Sequence, residues 1–260
     1  MASDFRSRLH AGDLVMGTMV MYVRTPGVVR MAAAAGLDYV LIDLQHSIFD
    51  LELVADMCEV ARAAGIAALV RPNRADADTV NRIQDLGANG LMFPDVSSRR
   101  QIEQGITAMH YPPNGTRGIA LGGPAADYRS APIDADVLKG FDEQQVVIVQ
   151  IESQEGVDNI ESIVAGGGVD VLELGRQDLS IALGVAGQPK HPKVDAAVDK
   201  ALEICGRLGV TVALAAGSLE EAQQMVARGV RFITWRTDKA ILLDSYRQFA
   251  STVASASKPG

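Results

Sequence analysis

Seven short apolar runs, most of them set just after an alanine-rich stretch and a glycine, set the main limit on how this chain can fold. They are YVLID (39–43), AALVR (67–71), GLMFP (90–94), VVIVQIE (146–152), VDVLELG (169–175), VTVALAA (210–216) and FITWR (232–236). None alternates apolar with polar residues, which is the pattern of strands buried on both faces of a parallel sheet. Segments such as AAAAG, ARAAG and GRLG end just ahead of a run. A glycine at that place takes the left-handed conformation that stops a helix. LVMGTMV (14–20) supplies an eighth run. Strand and helix in alternation predict a parallel sheet. Eight such units in 260 residues predict one (β/α)8 barrel, a fold that takes about 250 residues.

The doubly wound sheet is the competing arrangement, and it fails on one point. A dinucleotide site there needs G-x-G-x-x-G after the first strand, and Gly166–Gly168 precedes a strand instead of following one. Asp50, Asp76 and Ser218 are placed to cap the helices that follow them. We therefore read residues 1–260 as a single domain. One stretch breaks the rhythm: residues 110–145 contain HYPPNGTRGIALGGPAADYRSAPID and read as a long loop, of the kind that is usually functional. It is expected to help build an acceptor pocket. The tail ASTVASASKPG (250–260) is expected to fray.

A formal charge of −8 and the lack of any basic run longer than Arg99–Arg100 exclude broad nucleic-acid binding, which needs a basic face. No stretch is apolar for long enough to be a signal peptide or a membrane span. Cys58 and Cys205 lie in separate helical segments and form no C-x-x-C. They read as small buried hydrophobes in a protein of the reducing cytoplasm.

In a parallel barrel the carboxyl ends of the strands meet at one face, where active sites are built. The runs bring to that face Asp43 with His46 just beyond, Arg71, Glu152, Gly175 with Asp178, and Arg236. Glu152 and Asp178 on neighbouring strand ends suit a hard divalent ion with positions left open for substrate. A salt bridge for Glu152 and a helix cap for Asp178 are the alternatives. Asp43-x-x-His46 suits a base held in one tautomer, and Arg71 would bring a planar cation to a carboxylate or oxyanion. For Arg71 the alternative is a structural pairing with Asp43 or Glu152. None of the six lysines ends a proposed strand, where Schiff-base chemistry would want one, and the only near candidate, Lys239, reads as a helix start in TDKAILL. No G-x-S-x-G elbow is present either.

GLDYVLIDLQHSIFD, LVRPN, YPPNGTRG, QIESQEGVDNIESI and LELGRQDLSIALG, in this order from about Leu14 to Leu243, resemble the HpcH/HpaI family of class II 2-oxo-acid aldolases. The resemblance implies a barrel that binds a divalent metal (magnesium, manganese or cobalt) and cleaves 4-hydroxy-2-oxo acids to pyruvate and an aldehyde. It implies Glu152 and Asp178 as metal ligands, His46 as base with Asp43 as its partner, and Arg71 on the oxo group. Gly175, Arg176, Gln177 and Asp178 would surround the substrate carboxylate, and the chains would assemble as hexamers. The sequence departs from the family in three places. Gln45 stands where D-x-E-H has glutamate, Arg176-Gln177 replaces the usual G-P-x-D spacing residues, and Pro72-Asn73 follows Arg71. Two other readings stay in play: a carbon–carbon lyase or synthase using an acyl-CoA or citrate-like substrate, and a non-catalytic barrel that binds an oxo acid. The acidic chain speaks against the first. The full set Asp43, His46, Arg71, Glu152 and Asp178 speaks against the second.

Overall fold

A computed structural model describes residues 4–120, 122–128, 132 and 134–256. Eight strands, β1 (Val15–Val20), β2 (Tyr39–Asp43), β3 (Ala67–Arg71), β4 (Gly90–Phe93), β5 (Val146–Ile151), β6 (Val171–Leu174), β7 (Thr211–Ala216) and β8 (Phe232–Thr237), close into a barrel in sequence order. Every pair is parallel, and β8 returns to β1. This is the (β/α)8 barrel that the sequence predicts.

Side chains in a strand point to alternate faces, and the register sorts them into two cores. Val40, Ile42, Val70, Val147 and Leu172 face outward into a large cluster with the surrounding helices. Tyr39, Leu41, Leu69, Ile148 and Phe232 face inward and fill the barrel. Each fully buried aliphatic of this kind contributes about 1.5–3 kcal/mol. Gly17 makes room for one of the inward groups: a Cβ there would lie 2.5 Å from the Tyr39 ring. The Tyr39 hydroxyl shares a hydrogen bond of 2.8 Å with Thr234 Oγ1. Below them the helix Phe5–His10 closes the amino-terminal end. Phe5 packs edge-on against Tyr39 and Phe232, with centroids 5.9 and 6.4 Å away.

The helix starts follow the sequence. Asp50, Asp76 and Ser218 accept hydrogen bonds from Leu53, Thr79 and Glu221 N–H respectively. Gly65 and Gly209 end their helices at φ 78° and 72°.

Two expectations are corrected. The long stretch is not one loop to residue 145, because the helix Ala135–Gln144 occupies its end. Its loop part joins the helix Arg99–Met109 to that helix, which leads into β5, so its described residues pack at the amino-terminal face, opposite the mouth. There Arg62 pairs with Asp127 at 3.1 Å, and Arg117 lies over the Tyr111 ring at 4.8 Å. A cavity of about 550 Å³ lined by Arg62, Gln84, Asn89 and Arg117 belongs to this same face. Within one chain, then, the described residues of the loop do not build the acceptor pocket. The tail is helical for most of its length: the last helix runs Asp238–Ala256. Residues 257–260 lie outside the described residues.

Candidate active site

The turn after β2 is built around Asp43, which is fully buried. Its Oδ1 accepts Arg71 Nε at 2.7 Å and Gln45 N–H at 3.1 Å, and its Oδ2 accepts His46 N–H at 3.1 Å. Ser47 Oγ donates to the Asp43 carbonyl. This network fixes the backbone of residues 43–47 and presents the His46 side chain, exposed, at the mouth. The expected partnership of Asp43 with the imidazole is not the one observed. Among the described residues no hydrogen bond reaches the ring, because the carboxylate oxygens are committed to Arg71 and to two backbone amides.

Arg71 ends β3 directly beside Asp43 in the register. It is only 6% exposed, and besides the Asp43 bond it donates from Nη1 to Gln150 Oε1 at 3.2 Å. Nη2 has just a long contact, 3.9 Å, with Met19 Sδ. Burial alone lowers the Arg71 pKa, but the hydrogen bond and charge of Asp43 outweigh it and carry it above its ordinary value. The guanidinium is therefore a permanent cation, with one edge left for a ligand.

Glu152 follows β5 and shares the inward face with Gln150 two residues earlier. Gly175, after β6, leaves the room it needs: a Cβ at 175 would stand 1.9 Å from Glu152 Oε1. Burial, a hydrogen bond with Asp95, and the charges of Asp178, Asp95 and Glu173 push the Glu152 carboxyl up to about 9. Asp178 sits in the first turn of the helix Arg176–Ala182. The expected pair thus converges, joined by Asp95 from the loop after β4. No ready-made cage of three or more His, Cys, Asp or Glu occurs among the described residues. What the mouth offers is a small set of crowded carboxylates on an open side.

Arg176 is tied to the end of β7 and the helix start that follows it. Its Nη2 lies 2.8 Å from Glu221 Oε1 and donates to the Ala215 carbonyl at 2.6 Å. Arg236 turns away to Asp244. The other histidines lie elsewhere: His10 is 2.8 Å from Asp170, His110 is 3.8 Å from Asp142, and His191 caps the helix Pro192–Leu208. Cys58 and Cys205 are buried and free, and burial pushes both thiols up to about 12.

Three polar groups near the site escaped the sequence reading: Gln150, Asp95 and Glu173. Gln150 and Glu173 are inward neighbours on β5 and β6, and both interrupt otherwise aliphatic runs, which was the available signal. Glu173 is 4% exposed and its Oε2 has no partner among the described residues. Burial pushes it up to about 7, against the pull of Arg71 and Arg176. A carboxyl raised in the fold stabilises below its unfolded pKa, and that contribution is lost as pH rises through about 7. Glu173→Gln is therefore expected to raise the melting temperature at pH 8 and to flatten its fall between pH 5 and 8. The stability at stake is on the order of a few kcal/mol. Identical pH slopes for the two metal-free proteins would refute the assignment.

Comparison with known proteins bears on what this mouth is for. The sequence profile described as "HpcH/HpaI aldolase/citrate lyase" matches residues 19–244. A hydroxypyruvate/pyruvate aldolase of Pseudomonas aeruginosa is 31% identical over 95% of this chain and 91% of its own length. A 4-hydroxy-2-oxo-heptane-1,7-dioate aldolase of Shigella sonnei is 28% identical over 100% of this chain and 99% of its own. The crystal structure of an HpcH/HpaI aldolase from Desulfitobacterium hafniense superposes with a TM-score of 0.92 at 32% identity, covering 98% of this chain and 97% of that one.

Proposed function

This chain belongs to the HpcH/HpaI aldolase/citrate lyase family, and from that premise we propose that it is a divalent-metal-dependent aldolase. It cleaves 4-hydroxy-2-oxo acids to pyruvate and an aldehyde and catalyses the reverse addition. The observation that carries this reading is the meeting of Glu152 and Asp178 with the open edge of Arg71 at one barrel mouth. The residues fit a cation. Burial and the neighbouring acids push the Glu152 carboxyl up to about 9, and a divalent ion would relieve that crowding. Carboxylate oxygens are the donors that a hard ion takes.

Glu152 and Asp178 would hold the ion. When bound, it supplies Lewis-acid polarisation of the substrate's 2-oxo group. The other steps fall to the protein. The amides of the first turn, Arg176 to Asp178, are the orphan donors of a helix start and receive the substrate carboxylate next to Gly175. Arg71, braced by Asp43 and Gln150, turns its open edge to the 2-oxo oxygen. His46 takes the C4 hydroxyl proton as the C3–C4 bond breaks, and those bonding electrons become the enolate of pyruvate, whose oxygen faces Arg71. The C4 fragment leaves as the aldehyde. A proton returned to C3 completes pyruvate.

The test is direct. Exhaustive chelation is expected to abolish pyruvate release, and added magnesium, manganese or cobalt to restore it. Borohydride with pyruvate is expected to leave the protein mass unchanged, since no lysine ends a strand. Full activity in chelator, or a trapped adduct, would overturn the reading.

The last helix supports the inference that chains assemble, as hexamers by the family resemblance. Leu242, Tyr246, Phe249 and Val253 recur at helical spacing and are all exposed, a row that a lone soluble chain does not usually present to water. No helix among the described residues is long and apolar enough to cross a membrane. Our reading is of a cytoplasmic protein that acts on small oxo acids, and the net charge of −8 speaks against a nucleic-acid partner.

A further inference from the structure

The loop after β4 brings to the mouth an acid that the mechanism above leaves unused. Asp95 follows Pro94, and its φ of 52° places it in the left-handed region. Aspartate tolerates that region better than most residues. The loop is stapled to the end of β5. Val96 N–H donates to the Gln150 carbonyl at 2.9 Å, and the Ser97 and Ser153 hydroxyls share a bond of 2.9 Å. Asn159 Nδ2 donates to the Ser97 carbonyl at 2.9 Å. Asp95 is thereby held against Glu152, within hydrogen-bonding reach of its carboxyl. From the other side Gln45 Nε2 donates to Asp95 Oδ2 at 3.1 Å. The same amide's Oε1 is buried with no partner among the described residues.

A carboxylate oxygen is the donor that a hard cation takes, and the Gln45 NH2, a hydrogen-bond donor, is directed at that of Asp95. A turn-forming aspartate would need neither Glu152 nor Gln45.

We propose that Asp95 is a positioning residue of the metal site: its carboxylate, held by the Gln45 amide, supplies negative charge that binds the ion and orients Glu152 beside it. The inference rests on the reading of Glu152 and Asp178 as metal ligands. It assigns the pair Gln45–Asp95 one amide and one charge, and the charge is what the ion needs.

The experiment is Mn2+ titration of the metal-free protein by calorimetry, with melting temperatures recorded before and after loading. Partners that orient metal ligands typically account for about 10–100-fold in affinity. Asp95→Asn is expected to weaken Mn2+ binding by that much, with a metal-free melting temperature equal to or above that of the wild type, because a crowded charge has gone. The double variant Gln45→Glu with Asp95→Asn returns the charge to the other side of the pair and is expected to recover most of the affinity. Glu152→Gln, the control, is expected to abolish binding. Wild-type affinity in Asp95→Asn, while Glu152→Gln fails to bind, overturns this inference alone. So does a lower melting temperature with unchanged affinity, the mark of a turn former. A double variant no better than Asp95→Asn also overturns it. If the wild type does not bind Mn2+, or Glu152→Gln binds it normally, the metal-site reading falls and the inference with it.

Discussion

Replacing His46 by alanine is expected to lower the turnover for pyruvate formation about 10²–10⁴-fold, the usual contribution of a general base, and to leave the protein as stable as before. The second half of that result follows from the structure. The imidazole is exposed and makes no hydrogen bond among the described residues, while the turn that carries it is fixed through backbone amides on Asp43. Substitutions at such surface positions usually stay within about 0.5 kcal/mol. Pyruvate affinity should also hold, since the proposed carboxylate and oxo contacts are made elsewhere. Steady-state turnover, pyruvate binding by calorimetry and melting temperature on one preparation test all three. Near-normal cleavage would remove His46 from the mechanism.

Arg71 should behave in the opposite way, with activity and stability falling together. Removing one partner of a buried ion pair typically costs about 3–5 kcal/mol, and Asp43 would be left at zero exposure without its cation. Arg71→Ala is therefore expected to be strongly destabilised. Arg71→Lys is the informative variant. It keeps the charge but cannot serve Asp43, Gln150 and a substrate oxygen at once, because an ammonium lacks the planar fork. Loss of an oxyanion donor typically costs about 10²–10³ in turnover, and a sizeable part of that is expected per folded, metal-loaded site. If turnover per folded site is unchanged, the arginine is a structural partner of Asp43 and nothing more.

The barrel was legible because its strands are buried on both faces, which leaves uninterrupted apolar runs. Their ends were legible because polar residues follow at once. Asp43, Arg71 and Glu152 could be placed at the mouth on the same grounds. What stayed hidden depends on turns and on register between strands. The spacing of Asp43 and His46 suggested a side-chain pair, yet the turn folds its amides onto the carboxylate, as aspartate does in tight turns. Asp95 lies beyond a run read as ending at Pro94, and only the pairing of β4 with β5 brings it to Glu152. Glu173 is an acid inside a strand, where burial normally excludes one. In VDVLELG it stood out only as a polar break in an apolar run, with nothing to show what it faces. The tail was expected to fray as the stretch after the last helix, but alanine is the strongest helix former, and the helix continues to Ala256.

Phe5 sets a rule of traffic. With its ring wedged under Tyr39 and Phe232, the barrel has no back door among the described residues, so what enters at the mouth leaves by the mouth. In the proposed pose the oxo-acid half lies inward on Arg71 and the first turn after Gly175, with the aldehyde half stacked outside it. Cleavage then empties the site in a fixed sequence, outer fragment first. In the synthetic direction the queue reverses: pyruvate must be seated before an aldehyde can dock on top of it, and an aldehyde arriving early only blocks the way.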